Sequence, residues 1–152
     1  MNYSVIVLAA GRGSRTNLDY NKVFYTFENG QTVLNESLSV FLSDDECKQV
    51  VLVCADYEKD YVNEHYTYDS RIQVVTGGKT RQDSVYNGLQ VVDQDYVMIH
   101  DGARPFVEKN WIFDLKQTLE TESACLLMVP SVDTTKIVVD GYVKESLERK
   151  LV

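Results

Sequence analysis

An α/β layered protein built on a mostly parallel sheet is the architecture this sequence predicts, and three observations carry it. Short β-rich runs alternate with longer segments of helical periodicity. Apart from their ends the runs hold few polar residues, as strands covered on both faces do. Glycine-containing turns follow several of them, at the sheet edge where such folds bind ligands.

The elements follow in order. YSVIVLAA (3 to 10), QVVLVCA (49 to 55), IQVVTG (72 to 77), YVMIHD (96 to 101) and ACLLMVP (124 to 130) read as strands. The segment 32 to 46 sets Val33, Leu34, Leu38, Phe41 and Leu42 at helical spacing, and 79 to 92 does the same with Val85, Leu89 and Val92. A third helix is predicted over 108 to 122 from Trp111, Ile112, Leu115 and Leu119, which gives crossover helices between parallel strands. Asn29-Gly30 marks a small hairpin off the main sheet. After Pro130, two β-rich runs flank Asp140-Gly141, a strong hairpin signal. A two-stranded ribbon is marginal alone, so this arm is expected to pack on a second subunit. The domain reading is a nucleotide-binding α/β domain over 1 to 130 and a dimerising β-arm over 131 to 152. The charged run that ends the chain, with no closing helix, reads as an incomplete protein.

Composition narrows the function. With 152 residues, 44% of them hydrophobic, the chain has material for one core. A net charge of -8 argues against a broad grip on nucleic acid or an anionic membrane, so any anion site must be local. No apolar run approaches the roughly 20 residues of a membrane span, and the N-terminus lacks a basic leader; a cytoplasmic protein is expected. Cys47, Cys54 and Cys125 are odd in number, widely spaced and in apolar surroundings, as buried free thiols are.

The chemistry concentrates after the strands. Gly11 and Gly13 let the chain turn sharply and offer backbone N–H groups to a phosphate, while Arg15 and Lys22 supply charge on the same loop. The alternative is an ordinary tight turn with solvated cations. A dinucleotide fingerprint fails because Thr16 stands where a third glycine is needed, and a Walker A loop fails for want of Gly-Lys-Ser/Thr. Asp101 ends the fourth strand, where a carboxylate orders Mg²⁺ or a hydroxyl, or closes an Asx turn. His100 is expected to be packed or hydrogen-bonded rather than a general base, and His65 to lie on the surface. Gly77 and Gly78 could bring backbone against a flat base; Thr80, Asp83 or Ser84 then caps the following helix or reads a ligand edge.

Taken together, LAAGRGSR (8 to 15) with Asn21-Lys22, GGKTRQDSVYNGL (77 to 89), HDGARPFV (100 to 107) and VPSVDTTK (129 to 136) make the chain resemble the 2-C-methyl-D-erythritol 4-phosphate cytidylyltransferases, in the family's order. The resemblance implies a Rossmann-like nucleotidyltransferase fold that couples CTP with the methylerythritol phosphate and releases pyrophosphate in the non-mevalonate isoprenoid pathway. It implies that Ala9, Ala10, Gly11, Gly13 and Arg15 wrap CTP, with Arg15 and Lys22 as catalytic charge stabilisers. Gly78 and Ser84 would read the cytosine, and Gly102 would lie near the ribose. Asp101, Arg104 and Thr134 would meet the second substrate, and Arg149 would reach the partner subunit's site. Mg²⁺ dependence, with no metal ligands assigned, and a homodimer through the β-arm complete the implied picture.

Three departures stand out. The family's lysine usually follows proline, whereas here Asn21 precedes Lys22; Lys79 stands where an acidic residue is common; and relatives continue beyond the β-arm. Ribitol 5-phosphate cytidylyltransferases, a sister family, share the scaffold but more often read AGG at positions 9 to 11. A non-catalytic nucleotide-binding fragment and a molybdopterin or sugar nucleotidyltransferase are the remaining readings.

Overall fold

The computed structural model describes residues 1–11 and 20–148. These form two compact units, Met1–Lys109 and Asn110–Val152, so compactness divides the chain upstream of the 130/131 boundary drawn from sequence.

The first unit holds four parallel strands: β1 (Tyr3–Leu8), β2 (Cys47–Cys54), β3 (Ile72–Thr76) and β4 (Val97–Asp101), in the order β3-β2-β1-β4. The central pair is apolar on both faces: Val5, Ile6, Val7 and Val50 to Val53 are all fully buried. Each contributes about 1.5–3 kcal/mol relative to exposure. The register brings Leu8 opposite both Val53 and Asp101, so the carboxyl ends of the strands share one rim.

Helices cover both faces. Helix α1 (Val33–Leu42) starts at Thr32, whose side chain accepts from the Asn35 N–H, and buries Leu34, Leu38 and Phe41 at the spacing of one helical stripe. Leu34 lies beside Val7, both within 3.3 Å of where a Cβ on Gly102 would stand. Helix α3 (Arg81–Leu89) lies on the opposite face, pressed so close at Gly88 that an added Cβ would fall 2.9 Å from Ile6 Cγ2. Neighbouring strand residues point to opposite faces, which is why Ile6 meets α3 while Val7 meets the α1 side. The expected hairpin near Gly30 reduces to one antiparallel bridge between Thr26 and Thr32, around a turn with Gly30 at φ +80°.

Helix α2 (Lys59–Tyr66) has no counterpart in the sequence reading. It buries only Val62 and Tyr66, four residues apart, and a stripe of two gives almost no periodic signal. Cys47 and Cys54 are buried free thiols whose pKa values burial pushes up to about 11; Cys125 is free and half-buried.

The second unit contains most of α4 (Lys109–Thr118), matching the predicted third helix, and an antiparallel pair, β5 (Lys136–Val139) and β6 (Tyr142–Ser146). Asp140 and Gly141 both sit at positive φ, the geometry of the two-residue turn that Asp-Gly favours. The strand expected over 124 to 130 is not formed. Its apolar run pairs with no strand among the described residues, and Leu126, Met128 and Val129 are each more than 70% exposed. Apolar composition alone does not make a strand, because the backbone needs a ladder to pair with.

Candidate nucleotide site

Three described segments meet at the carboxyl rim of the first unit: 9–11 with 20–24, 77–84, and 101–104. Ala9 is buried and continues the sheet, its N–H donating to the Val53 carbonyl at 2.7 Å. A Cβ on Gly77 would fall 2.7 Å from Ala10 Cβ and 3.0 Å from Ser84 Oγ, so the first and third strand ends touch there. Gly11 is exposed, and a Cβ on it would meet none of the other described residues within 4 Å. Gly13 and Arg15 lie outside the described residues.

Lys22 opens a short 3-10 turn, Lys22–Phe24, capped by the side chain of Asn21. Among the described residues no carboxylate lies within ion-pair distance of its ammonium. Asn21 is buried; its Nδ2 donates to the Ala9 carbonyl at 2.7 Å and to Glu58 Oε2 at 3.2 Å. Glu58 is itself buried. Desolvation pushes its carboxyl above the ordinary carboxylate range, and the bond from Asn21 works against that shift.

At 77–84, Thr80 and Asp83 form a reciprocal capping box on α3. The buried Ser84 hydroxyl accepts from the Gly78 N–H and donates to the Thr80 carbonyl, both at 3.0 Å. Capping therefore falls to Thr80 and Asp83, and Ser84 braces the glycine turn from below.

Asp101 is gripped from two sides: Arg81 reaches Oδ1 with Nε at 3.2 Å and Nη2 at 2.9 Å, and Arg104 Nε reaches Oδ2 at 3.1 Å. The sequence reading missed Arg81. It sits in the quoted 77–89 motif, yet its role needs a partner twenty residues away. Both arginine side chains are more than 60% exposed, so these pairs are weak and an incoming anion could replace the carboxylate at little cost. Gly102 is buried, its N–H donating to the Leu8 carbonyl at 2.8 Å and its carbonyl accepting from Ser37 Oγ at 2.8 Å.

His100 is packed as expected, its ring 5.2 Å from that of Phe41 and Nε2 hydrogen-bonded to the Arg104 carbonyl at 3.1 Å. A carbonyl only accepts, so Nε2 carries the proton. Burial pulls its pKa below the ordinary 6.5. On acidification the unfolded chain therefore takes up the proton first, and the stability held above the unfolded pKa falls as pH drops through it towards the folded value. The stability margin of the unsubstituted chain over His100→Gln is expected to shrink between about pH 7.5 and about pH 5.5, read as the difference in Tm. A margin that is flat or widens on acidification would contradict this environment. His65 is on the surface, 48% exposed.

The candidate metal and second-substrate residues are less assembled. Among the described residues no group of three His, Cys, Asp or Glu side chains converges to hold a metal ion, and both Asp101 oxygens face guanidinium groups. Thr134 is exposed in the second unit, and Arg149 lies outside the described residues.

A parallel sheet with glycine turns and arginines along its carboxyl rim is the Rossmann-like nucleotidyltransferase fold. Solved structures agree: 4-diphosphocytidyl-2C-methyl-D-erythritol synthase from Anaerococcus prevotii superposes with a TM-score of 0.81 at 30% identity, covering 99% of this chain and 65% of that one. The 2-C-methyl-D-erythritol 4-phosphate cytidylyltransferase of Francisella tularensis gives 0.78 at 31% identity over 97% of this chain and 66% of that one. The family model described as 2-C-methyl-D-erythritol 4-phosphate cytidylyltransferase matches residues 3–152, and the chain belongs to that family. The relative of that name in Clostridioides difficile is 41% identical over 98% of this chain, which spans 65% of the relative's length.

Proposed function

We propose that this chain forms the nucleotide-binding part of an enzyme that joins CTP to 2-C-methyl-D-erythritol 4-phosphate, giving the cytidine diphosphate derivative and pyrophosphate for isoprenoid synthesis. The observation that carries this reading is the family match over residues 3–152. An oxygen of the sugar-alcohol phosphate attacks the α-phosphorus of CTP in line; the bond from that phosphorus to the α,β-bridging oxygen breaks, and pyrophosphate leaves with that oxygen. The attacking oxygen is already ionised near neutral pH, so the protein's task is placement and charge stabilisation rather than proton removal.

Residues 9–11 and Gly13 offer backbone to the triphosphate, and Lys22 and Arg15 meet its charge. Gly77, Gly78 and Ser84 border the base. Arg81 and Arg104, parked on Asp101, are available to the second phosphate; the same reading takes the protein as a homodimer joined through its β-arm. Mg²⁺, when bound on the triphosphate, neutralises charge that develops on the leaving group. The protein works in the cytoplasm; no helix among the described residues is long and apolar enough to cross a membrane.

The test is pyrophosphate release from CTP and Mg²⁺ with either 2-C-methyl-D-erythritol 4-phosphate or ribitol 5-phosphate. Release with the first, at least about tenfold faster than with the second, is expected from a site built for one alcohol's hydroxyl pattern. Preference for ribitol 5-phosphate would move the assignment to the sister family, and CTP binding without release would leave a nucleotide-binding fragment.

A further inference from the structure

The rim of the sheet contains a buried polar contact that the proposed chemistry does not use. Asn21 Nδ2 is shared between the Ala9 carbonyl, just past the end of β1, and Glu58, just past the end of β2, while Asn21 Oδ1 accepts from the Val23 N–H at 3.3 Å. Both donor hydrogens and the acceptor of one amide are thus committed, to three points on the rim. Asn21 is 5% and Glu58 8% exposed. A buried carboxyl is costly to maintain unless it is hydrogen-bonded. Lys22 directly follows Asn21 as the first residue of the turn that Asn21 caps.

We infer that Glu58 and Asn21 are positioning residues: the Glu58 carboxyl orients the Asn21 amide, which ties the backbone at Asn21 to Ala9 and sets the direction from which Lys22 reaches the triphosphate. The inference rests on the CTP reading above. Glu58 touches no substrate; it acts through Asn21, and Asn21 through the backbone of Lys22. The N-cap geometry of Asn21, φ -66° and ψ 123°, is the conformation this amide holds in place.

The test is CTP affinity, measured by isothermal titration on the full chain, in Asn21→Ala, Glu58→Leu and Glu58→Gln, each made alone and with Lys22→Ala. Far-UV circular dichroism and Tm show which variants fold. Asn21→Ala and Glu58→Leu are each expected to weaken CTP binding about tenfold, the scale of one hydrogen bond to a charged group. Glu58→Gln, which keeps an acceptor oxygen, should stay within about threefold of the unsubstituted chain. In the Lys22→Ala background the same substitutions should change affinity less than about twofold, because the group they position is gone. Equal losses with and without Lys22 would show a purely structural role and overturn the inference while the CTP reading stands. Failure of the unsubstituted chain to bind CTP would overturn that reading, and the inference with it. Should Asn21→Ala not fold, the two Glu58 variants decide the same question.

Discussion

Lys22→Ala and Arg15→Ala are each expected to lower turnover by about 10² or more, the scale that follows removal of one preorganised donor to transition-state charge. The structure gives this a basis at Lys22. Among the described residues its ammonium has no ion-pair partner. Its backbone is fixed by a capped turn whose cap bonds back to Ala9. A cation placed in advance by such a turn lowers the energy of a departing pyrophosphate. Initial rates of pyrophosphate release at saturating CTP, with Tm as a control for folding, check the prediction. Unchanged turnover in both variants would remove these residues from the catalytic set.

Gly78→Ala carries the largest expected cost in stability, about 3 kcal/mol, the upper part of the range for overpacking. A Cβ there would lie 2.2 Å from Asp83 Cβ and 3.0 Å from the Asp83 carbonyl carbon. Those atoms are backbone or directly attached to it, at the N-terminus of α3, so they cannot swing aside as the tip of a long side chain would. Moving Asp83 also breaks its half of the capping box with Thr80 and disturbs the Ser84 bond to Gly78. The variant should therefore lose stability and nucleotide affinity together, read by chemical denaturation and titration with CTP. A loss below about 0.5 kcal/mol would mean that the turn relaxes freely and that the glycine serves the ligand alone.

These two predictions differ in how far the sequence could reach them. The glycines and cations were visible because a turn after a parallel strand has a local signature. The need for glycine at 78 was also local, since the clash is with a residue five positions on. Arg81 was not legible: as a residue in the first turn of a helix it looks like a solvated charge until β4 delivers Asp101 to it. Glu58 was equally hidden, an acidic residue in a polar stretch whose burial depends on where Asn21 returns. The stretch 124 to 130 shows the opposite error, an apolar run read as a strand although strand formation depends on a partner that local sequence does not supply.

By itself the sequence determined the parallel α/β core, the capping candidates of α3, the Asp-Gly turn of the β-arm and the rim on which the phosphate-directed loops stand. Each of these follows from side-chain periodicity or from the torsional preferences of a few adjacent residues. Only the tertiary structure decided that Asn21 meets Glu58, that Asp101 holds two arginines, and that α2 forms on a stripe of two buried residues. Those outcomes come from pairing between segments distant in sequence, where the energy of a contact is set by what the sheet brings within reach.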